Sequence, residues 1–559
     1  MQGWVHTRRD HGGLIFIDLR DGQGLVQLVI NPTAEQAFAL ATTLRDECVI
    51  EARGLVAARD AGLVNDNIAT GTVEIVVEEI RLLNRAEVLP IQPFAEVQAG
   101  EDLRLKYRYL DLRRPKMQHM LKRRAEMFSL MRRHMEAHDF TEITTPILAS
   151  SSPEGARDFL IPSRVHQGKF YALPQAPQQF KQLLMVGGVP RYYQLAACFR
   201  DEDPRADRLY GEFYQLDLEM SFVEDGETVR CTMEPLICQL VTEFAGKQLL
   251  TSNIPRITYL EAMERYGSDK PDLRYGMELT DVADIFTATE FGVFKSAPAL
   301  KAICVKNGAT LSRSQIDKFT ELAKAEGAGG LPYLMLRDGH ITAPIAKFMS
   351  EAELAALRER LEMQEGDAVF FGVGERPLVN AVLGKLRIAF AEHFELKDPN
   401  VVALAWIIDF PFYELDAKTG KLDFGHNPFS MPKGGREALE ADDKLSIVAD
   451  QYDMVMNGYE ICSGGVRNHN PEVLYAVFEV LGYSRDYVEA KFGAMLGAFK
   501  YGAPPHAGCA FGVDRMFMEL MGESNIREIV AFPKNGSGVD VMMNSPSQVD
   551  SVQLKELGL

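Results

Sequence analysis

Residues 198–220, CFRDEDPRADRLYGEFYQLDLEM, place several arginines and carboxylates in one loop between two stretches that read as antiparallel strands. In the second stretch, Glu212 to Met220, one face carries Tyr214, Leu216 and Leu218, an ordinary core set. The opposite face carries Phe213, Gln215, Asp217 and Glu219. Buried polar groups need partners, so a polar face with one aromatic residue in a large chain is expected to meet a polar ligand. Arg200, Arg205 and Arg208 in the loop add positive charge, and the set suits a flat base joined to a polyanion. A solvent-facing hairpin edge with surface ion pairs would use the same residues. A second segment, GAPPHAGCAFGVDRMFMEL at 502–520, carries glycines that let backbone approach a ligand closely. Its Gly512-Val513-Asp514-Arg515 leads into an amphipathic helix, where Arg515 can reach a phosphate or stack on a base.

Elements must hold these groups in place. Leu121, Ala125, Phe128, Met131 and Met135 are spaced for one face of a helix over 121–137, followed by a strand that ends at Pro146. Ahead of it, residues 1–85 read as a β module with one helix. Strands are expected at Gly13–Leu19, Leu25–Ile30, Cys48–Ala58 and Gly71–Leu83, with a helix over Ala34–Asp46. Strand–strand–strand–helix–strand–strand is the order of an OB-fold, a frequent binder of single-stranded nucleic acid. Phe16 shares a strand face with Asp18 while Ile15, Ile17 and Leu19 take the other, which suits stacking on an unpaired base. A core phenylalanine is the competing account. With 559 residues, 46% hydrophobic and 25% charged, the composition is that of an ordinary globular chain long enough for several domains. No segment offers the run of about 20 apolar residues that spans a bilayer. The seven cysteines show no paired zinc spacing. The net charge of −19 argues for local rather than global affinity for nucleic acid, with basic character expected at Arg8, Arg9, the 104–123 stretch and the 200–208 loop.

A helix and strand ending in a proline, then FRDE with a loop and EF, then GVDR, is the motif order of the class II aminoacyl-tRNA synthetases, and the chain resembles that class. SPEGARDFLIP (152–162), LPQAPQQFKQLLM (173–185), YRYLDLRRP (107–115), YGSDKPDLR (266–274) and YEICSGGVRNHN (459–470) resemble the bacterial-type aspartyl enzymes, over essentially the whole chain. The resemblance implies an α+β multidomain protein. An N-terminal OB-fold β-barrel over 1–85 would bind the anticodon, followed by a hinge over 86–115. A class II antiparallel-sheet catalytic domain would be split between 116–278 and 397–559, with an inserted α/β domain over 279–396. The helix over 121–137 would contribute to a homodimer interface, and the protein would be cytoplasmic, with no membrane association.

The implied reaction is attack of an aspartate α-carboxylate on the α-phosphate of ATP, then transfer to the 3′-terminal ribose of tRNA. Chemistry of this kind needs positioning and charge neutralisation more than a protein nucleophile. By resemblance, Arg200 holds the α-phosphate, Asp201 and Glu202 lie at the nucleotide, and Phe213 and Arg515 sandwich the adenine beside Gly512, Val513 and Asp514. Asp453 and Glu460 would hold Mg²⁺, Glu460 also serving ATP. Glu154, Gln178, Lys181, His426 and Arg467 would bind aspartate, Glu154 taking its ammonium group. Aspartate and asparagine are near isosteres, so charge must separate them. Lys181 and Arg467 are expected to be left as uncompensated buried positive charge if asparagine bound. Arg9, Phe16, Gln27 and Arg205 would contact tRNA. His11 and the GHNPFS segment, 425–430, resemble a subtype that charges both tRNA(Asp) and tRNA(Asn), the second product feeding a tRNA-dependent amidotransferase.

The chain departs from the family pattern at three places. Relatives carry further residues ahead of Gly3-Trp4-Val5, so either the start is misassigned or the first barrel strand is truncated, which would expose a sheet edge. A second histidine is replaced by Asn427, which keeps or loses that role, and Ala176 stands where many relatives have serine. A strictly tRNA(Asp)-specific enzyme, a tRNA-independent adenylate-forming ligase and a non-enzymatic RNA-binding protein are the competing readings. The OB-like module opposes the second, and the retained charged set opposes the third.

Overall fold

The structure, a computed structural model, describes residues 1–151, 156–416 and 418–559. The chain divides into two units, Met1–Asp111 and Leu112–Leu559.

In the first unit, β1 (Gln2–His11), β2 (Leu14–Arg20) and β3 (Leu25–Ile30) precede α1 (Glu35–Thr43), then β4 (Val49–Ala58) and β5 (Val73–Asn84) follow. They form a closed barrel in the order β1-β2-β3-β5-β4, the OB-fold expected from the element order. Alternation fills it: Ile15, Ile17, Leu19, Leu28, Ile50 and Ile75 point inward. The expected open edge is not found. Gln2 to Trp4 pair with Glu51 to Val49, and the Met1 ammonium donates to the Ala52 carbonyl at 2.7 Å. α1 is shorter than expected because Leu44 is already extended and Glu47 takes a left-handed φ of 66°. The 86–115 segment carries two short helices, Glu101–Lys106 and Arg108–Asp111.

In the second unit, α2 (Pro115–Ala137) begins earlier than apolar spacing predicts, with Pro115 in the first turn where a missing N–H costs nothing. Its buried stripe is Met117, Met120, Met127, Met131 and Met135, while the expected Ala125 is exposed. Arg124 fills the gap in that stripe by pairing with Asp514 at 2.6 Å, a placement that hydrophobic periodicity does not register.

Further strands are β6 (Thr141–Glu142), β7 (Arg191–Arg200) and β8 (Gly211–Ser221), with α3 (Gln178–Val186) before β7. β9 (Arg256–Thr258) leads into α4 (Tyr259–Tyr266). The inserted segment supplies β10 (Thr280–Asp281), β11 (Ala299–Val305), β12 (Tyr333–Arg337), β13 (His340–Thr342), β14 (Ala368–Gly374) and α5 (Arg376–His393). The chain then returns through β15 (Leu404–Pro411), β16 (Val448–Met456), β17 (Tyr459–Val466), β18 (His506–Gly512) and α6 (Val513–Met521).

The inserted strands make their own five-stranded sheet, in the order β10-β11-β14-β12-β13. The main sheet has eight strands in the order β9-β15-β16-β17-β18-β8-β7-β6, antiparallel except at its two ends. Trp406, Tyr452, Leu216, Leu218 and Phe511 join α2 and α6 in the principal core. The hairpin read from residues 198–220 is β7 and β8. Leu216 and Leu218 are buried as expected, but Tyr214, the third member of that set, is 39% exposed because it lies near the loop end of the strand.

Candidate active site

Small residues in the middle of the main sheet make room for a cavity of about 1020 Å³. Antiparallel register aligns Asp453, Ser463, Ala510 and Asp217 in one row across β16, β17, β18 and β8. The next row is Gln451, Gly465, Gly508 and Glu219. Each row has a carboxylate on β8 and small residues on β17 and β18, so the sheet surface is recessed between its polar ends. A Cβ on Gly508 would come within 2.2 Å of the Glu219 carboxylate, so glycine is required there. At strand spacings of about 4.8 Å, Asp453 and Asp217 lie roughly 14 Å apart along their row.

At the β8 end lies a four-membered charge cluster. Lys181 from α3 places Nζ 2.7 Å from Asp217 and 3.4 Å from Glu219. Arg467, just past β17, donates through Nε and Nη2 to both oxygens of Glu219, at 2.8 and 3.2 Å. All four are within 5% of full burial. Burial penalises the Lys181 ammonium, but Asp217 and Glu219 outweigh it and hold its pKa above the usual lysine value. Burial likewise opposes ionisation of Glu219, yet Arg467 and Lys181 lower its pKa from the usual value, whereas for Asp217 burial wins and pushes it up. The expectation that Lys181 and Arg467 carry uncompensated charge is therefore corrected: carboxylates of β8 already balance them. Gln182, one residue on, meets His506 at 3.2 Å below the cluster.

The nucleotide candidates gather toward the loop end of β8, around the same cavity that Asp217 borders. Arg200, Glu202, Arg205, Phe213, Gly512, Asp514 and Arg515 all border the cavity. The Arg200 guanidinium lies over the Phe213 ring at 5.1 Å, and its Nε has no hydrogen-bond partner among the described residues. Glu202 pairs with Arg208 at 2.7 Å, while Arg515 donates to the Glu460 carbonyl at 2.8 Å and to Asp207 at 3.2 Å. Three expected members stand differently. Asp201 turns to the Tyr210 hydroxyl, 3.2 Å away, and does not border the cavity. The Val513 side chain is fully buried in the core, leaving only its backbone to a ligand. Asp514 accepts from the Tyr214 N–H at 2.7 Å and forms an ion pair with Arg124 at 2.6 Å, tying α6 to β8 and α2.

At the β16 end, Asp453 is buried and its Oδ2 accepts no hydrogen bond among the described residues. Burial, then the neighbouring Glu460, pushes its pKa well above the ordinary range. His426 Nε2 is 3.9 Å from that oxygen, and Lys270 Nζ is 3.0 Å from Glu460. Gln178, Ala176 and Asn427 also border the cavity, but the Asn427 carbonyl oxygen is committed to the N–H groups of Phe429 and Ser430, at 2.9 and 3.2 Å. Asn427 thus closes its own turn through its side-chain oxygen. Glu154 lies outside the described residues.

Asp217, Glu219 and Lys270 were absent from the sequence-derived site. Signals existed for all three: the first two form the polar face of β8, and Lys270 lies in the quoted 266–274 segment.

On the barrel, β1 to β3 bring Arg9, Phe16 and Gln27 of the expected tRNA residues to one outer face, whereas Arg205 borders the cavity of the second unit. Arg9 lies opposite Phe16 in the β1–β2 ladder, and His11 meets the Phe16 ring edge-on at 6.2 Å. Arg9 donates to Asp18 at 3.0 Å and reaches Gln27 at 3.5 Å.

Residues 100–536 match the family described as tRNA synthetases class II (D, K and N), and residues 1–83 match the OB-fold nucleic acid binding domain. The chain is 50% identical over 563 residues to the aspartate–tRNA(Asp/Asn) ligase of Pelodictyon phaeoclathratiforme, across all of this chain and 93% of that protein. A protein of the same name from Bartonella tribocorum is 50% identical over 569 residues, across all of this chain and 95% of its own length. Among solved structures, the asparaginyl-tRNA synthetase from Pyrococcus horikoshii complexed with asparaginyl-adenylate aligns with a TM-score of 0.56 at 19% identity, covering 95% of this chain and 94% of that one. The aspartyl tRNA synthetase from Entamoeba histolytica aligns at 0.57 and 19%, covering 96% and 88%. These two share the fold.

Proposed function

The chain belongs to the class II tRNA synthetases of the D, K and N group, and on that premise we propose how its cavity attaches L-aspartate to tRNA. The activity is that of an aspartate–tRNA ligase acting on tRNA(Asp) and tRNA(Asn), the pair for which its half-identical, full-length relatives are named. ATP and aspartate first form aspartyl-adenylate, and the aspartyl group then passes to the terminal ribose.

The observation that carries the reading is the buried cluster of Lys181, Asp217, Glu219 and Arg467 at one end of a cavity whose other groups suit a nucleotide. Lysine and arginine side chains are donors only. A substrate carboxylate meets Lys181 and Arg467 with two acceptor oxygens, whereas the amide of asparagine turns N–H donors against them. Unpaired buried donors are strongly penalised, and that mismatch rather than a missing counter-charge discriminates against asparagine. Gln178 and His426 border the same space and orient the substrate. Arg200 receives the α-phosphate, with Glu202, Phe213 and Arg515 around the adenine. The α-carboxylate attacks the α-phosphorus, the bond to pyrophosphate breaks, and positioning supplies most of the acceleration.

Asp453 and Glu460 are the residues to hold Mg²⁺. The fit rests on the Asp453 oxygen, which is buried without a hydrogen bond and beside a second carboxylate. No cluster of three or more His, Cys, Asp or Glu side chains is found among the described residues, so Mg²⁺ held by Asp453 and Glu460 would draw on phosphate oxygens as well. When bound, the metal neutralises the pyrophosphate charge. In the transfer step the adenylate phosphate takes the proton of the ribose hydroxyl, while Arg205 and its loop meet the acceptor end. α2 contributes to a homodimer, the protein works in the cytoplasm, and aspartyl-tRNA(Asn) passes to a tRNA-dependent amidotransferase.

Charging of purified tRNA(Asp) and tRNA(Asn) transcripts with labelled aspartate, ATP and Mg²⁺ tests the reading. Comparable charging of both is expected. Charging of tRNA(Asp) alone would make the enzyme strictly specific, and charging of neither, with no ATP–pyrophosphate exchange, would overturn the assignment.

A further inference from the structure

Lys270 is held on the cavity wall by an element that contributes nothing else to the site. It follows α4 in the segment 266–274, and its Nζ lies 3.0 Å from Glu460 and 3.5 Å from Asp269. The segment is anchored from the inserted domain. Arg387 of α5 is 2% exposed and donates to the carbonyls of Asp272 and Tyr275, at 2.7 and 2.9 Å, and of Gly276 at 3.2 Å. Its guanidinium also lies over the Tyr266 and Tyr275 rings, at 5.1 and 4.4 Å. Gly267 and Gly384 bring α4 and α5 so close that a Cβ on either would fall within 2.5 Å of the other helix's backbone oxygen. Ser268 Oγ accepts from the Lys270 N–H at 3.0 Å, and Asp272 grips Arg274 at 2.7 Å. A lysine on a backbone fixed at this many points is not a loose surface cation.

We propose that Lys270 competes with divalent cations for Glu460, so that the Asp453–Glu460 pair accepts Mg²⁺ poorly by itself and well when the metal arrives on a nucleotide. The inference rests on the reading of Asp453 and Glu460 as metal ligands. A divalent ion entering between them must displace an ammonium group already in contact with Glu460, losing an attraction that is appreciable at this partly buried position. The displaced ammonium stays in a cavity bordered by Arg200 and Arg515, where the polyphosphate of ATP offers it new oxygens. Nucleotide therefore lowers the cost of moving Lys270, and metal and nucleotide binding favour each other by one common factor, as linkage requires.

Mn²⁺ binding followed by electron paramagnetic resonance tests this on the full-length protein, with and without a non-hydrolysable ATP analogue. Lys270→Met should raise the affinity for Mn²⁺ without nucleotide by about two- to fivefold, the scale of one half-exposed ion pair. Lys270→Arg, which keeps the charge, should behave as wild type, and Lys270→Met/Glu460→Gln should lose the gain. The side chain is 40% exposed, so the fold should tolerate all three, which circular dichroism checks. Equal Mn²⁺ affinity in Lys270→Met and wild type, with nucleotide-dependent binding intact, would overturn the role of Lys270 and leave the metal pair standing. A Lys270→Arg protein that binds as tightly as Lys270→Met would overturn it too. Mn²⁺ binding to the analogue complex that is unchanged by Glu460→Gln would remove the metal pair itself, and this inference with it.

Discussion

Lys181 and Asp217 are worth more as a pair than either is alone. Both are within 2% of complete burial, and removing one member of such a pair leaves a buried group without its main counter-charge. Lys181→Met is expected to cost about 3–5 kcal/mol of stability and to abolish aspartate-dependent ATP–pyrophosphate exchange. Lys181→Met/Asp217→Leu should recover much of the stability, since a packed apolar pair replaces the ionic one, while exchange stays lost. Denaturant unfolding and exchange assays separate the two effects, and a single variant as stable as wild type would contradict the argument. A second prediction concerns acid. The Arg256 hydrogen bond, against some burial, holds Glu227 down to about 2 from 4.5. A depressed carboxylate stabilises the fold fully above its unfolded pKa and loses that contribution as pH falls through the folded value. The stability gap between wild type and Glu227→Gln should thus be widest above pH 4.5 and close toward pH 2, as read from denaturation midpoints across that window. At this scale the positions of Lys181 and Arg467 were legible because they stand in long motifs. Their partners were legible only as a polar strand face, because sequence does not say which cation reaches across from another element.

Strands of the main sheet depend on residues with almost no side chain. Gly508 opposes Glu219 in the β8–β18 ladder, and a Cβ there would meet both the Glu219 carboxylate and the Leu218 carbonyl at 2.2 Å. Neither neighbour can retreat freely: one is backbone, and the other is held by Arg467 and Lys181. Gly508→Ala should therefore destabilise the protein by more than about 1 kcal/mol, and the KM for aspartate should rise further than that for ATP. An unchanged aspartate KM would show that the cluster can shift without consequence. Element types and order were legible where one period dominates. Two-residue alternation identified the barrel strands and β8, and the 3.6-residue period identified α2. The period misjudged which residues of α2 face inward, because Arg124 occupies the core stripe through its bond to Asp514. It also took Tyr214 for core, although the strand has left the packed region by that residue.

The two units have separate apolar cores, so the proposed activation chemistry and the proposed contacts with nucleic acid can be tested one unit at a time. With a net charge of −19, weak nonspecific attraction cannot hold a polyanion, so local contacts must. On the barrel the proposed contacts are Arg9, which is drawn toward Asp18 and Gln27, Gln27 itself, and the half-buried ring of Phe16 beside His11. An unpaired base stacked on that ring gains about 1–3 kcal/mol, which is roughly 5- to 150-fold in affinity. Phe16→Ala should therefore raise the KM for tRNA within that range and leave ATP–pyrophosphate exchange unchanged, because no step of aspartate activation touches the barrel. The barrel's own stability should fall little, since Ile15, Ile17 and Leu19 on the opposite face form its core. Parallel kinetics with tRNA(Asp) and tRNA(Asn) extend the test to specificity. If Phe16 stacks on a base the two anticodons share, both KM values rise together, whereas His11→Gln should change their ratio. Loss of exchange in Phe16→Ala would mean that the barrel communicates with the activation chemistry, and the separation of the two surfaces would then fail.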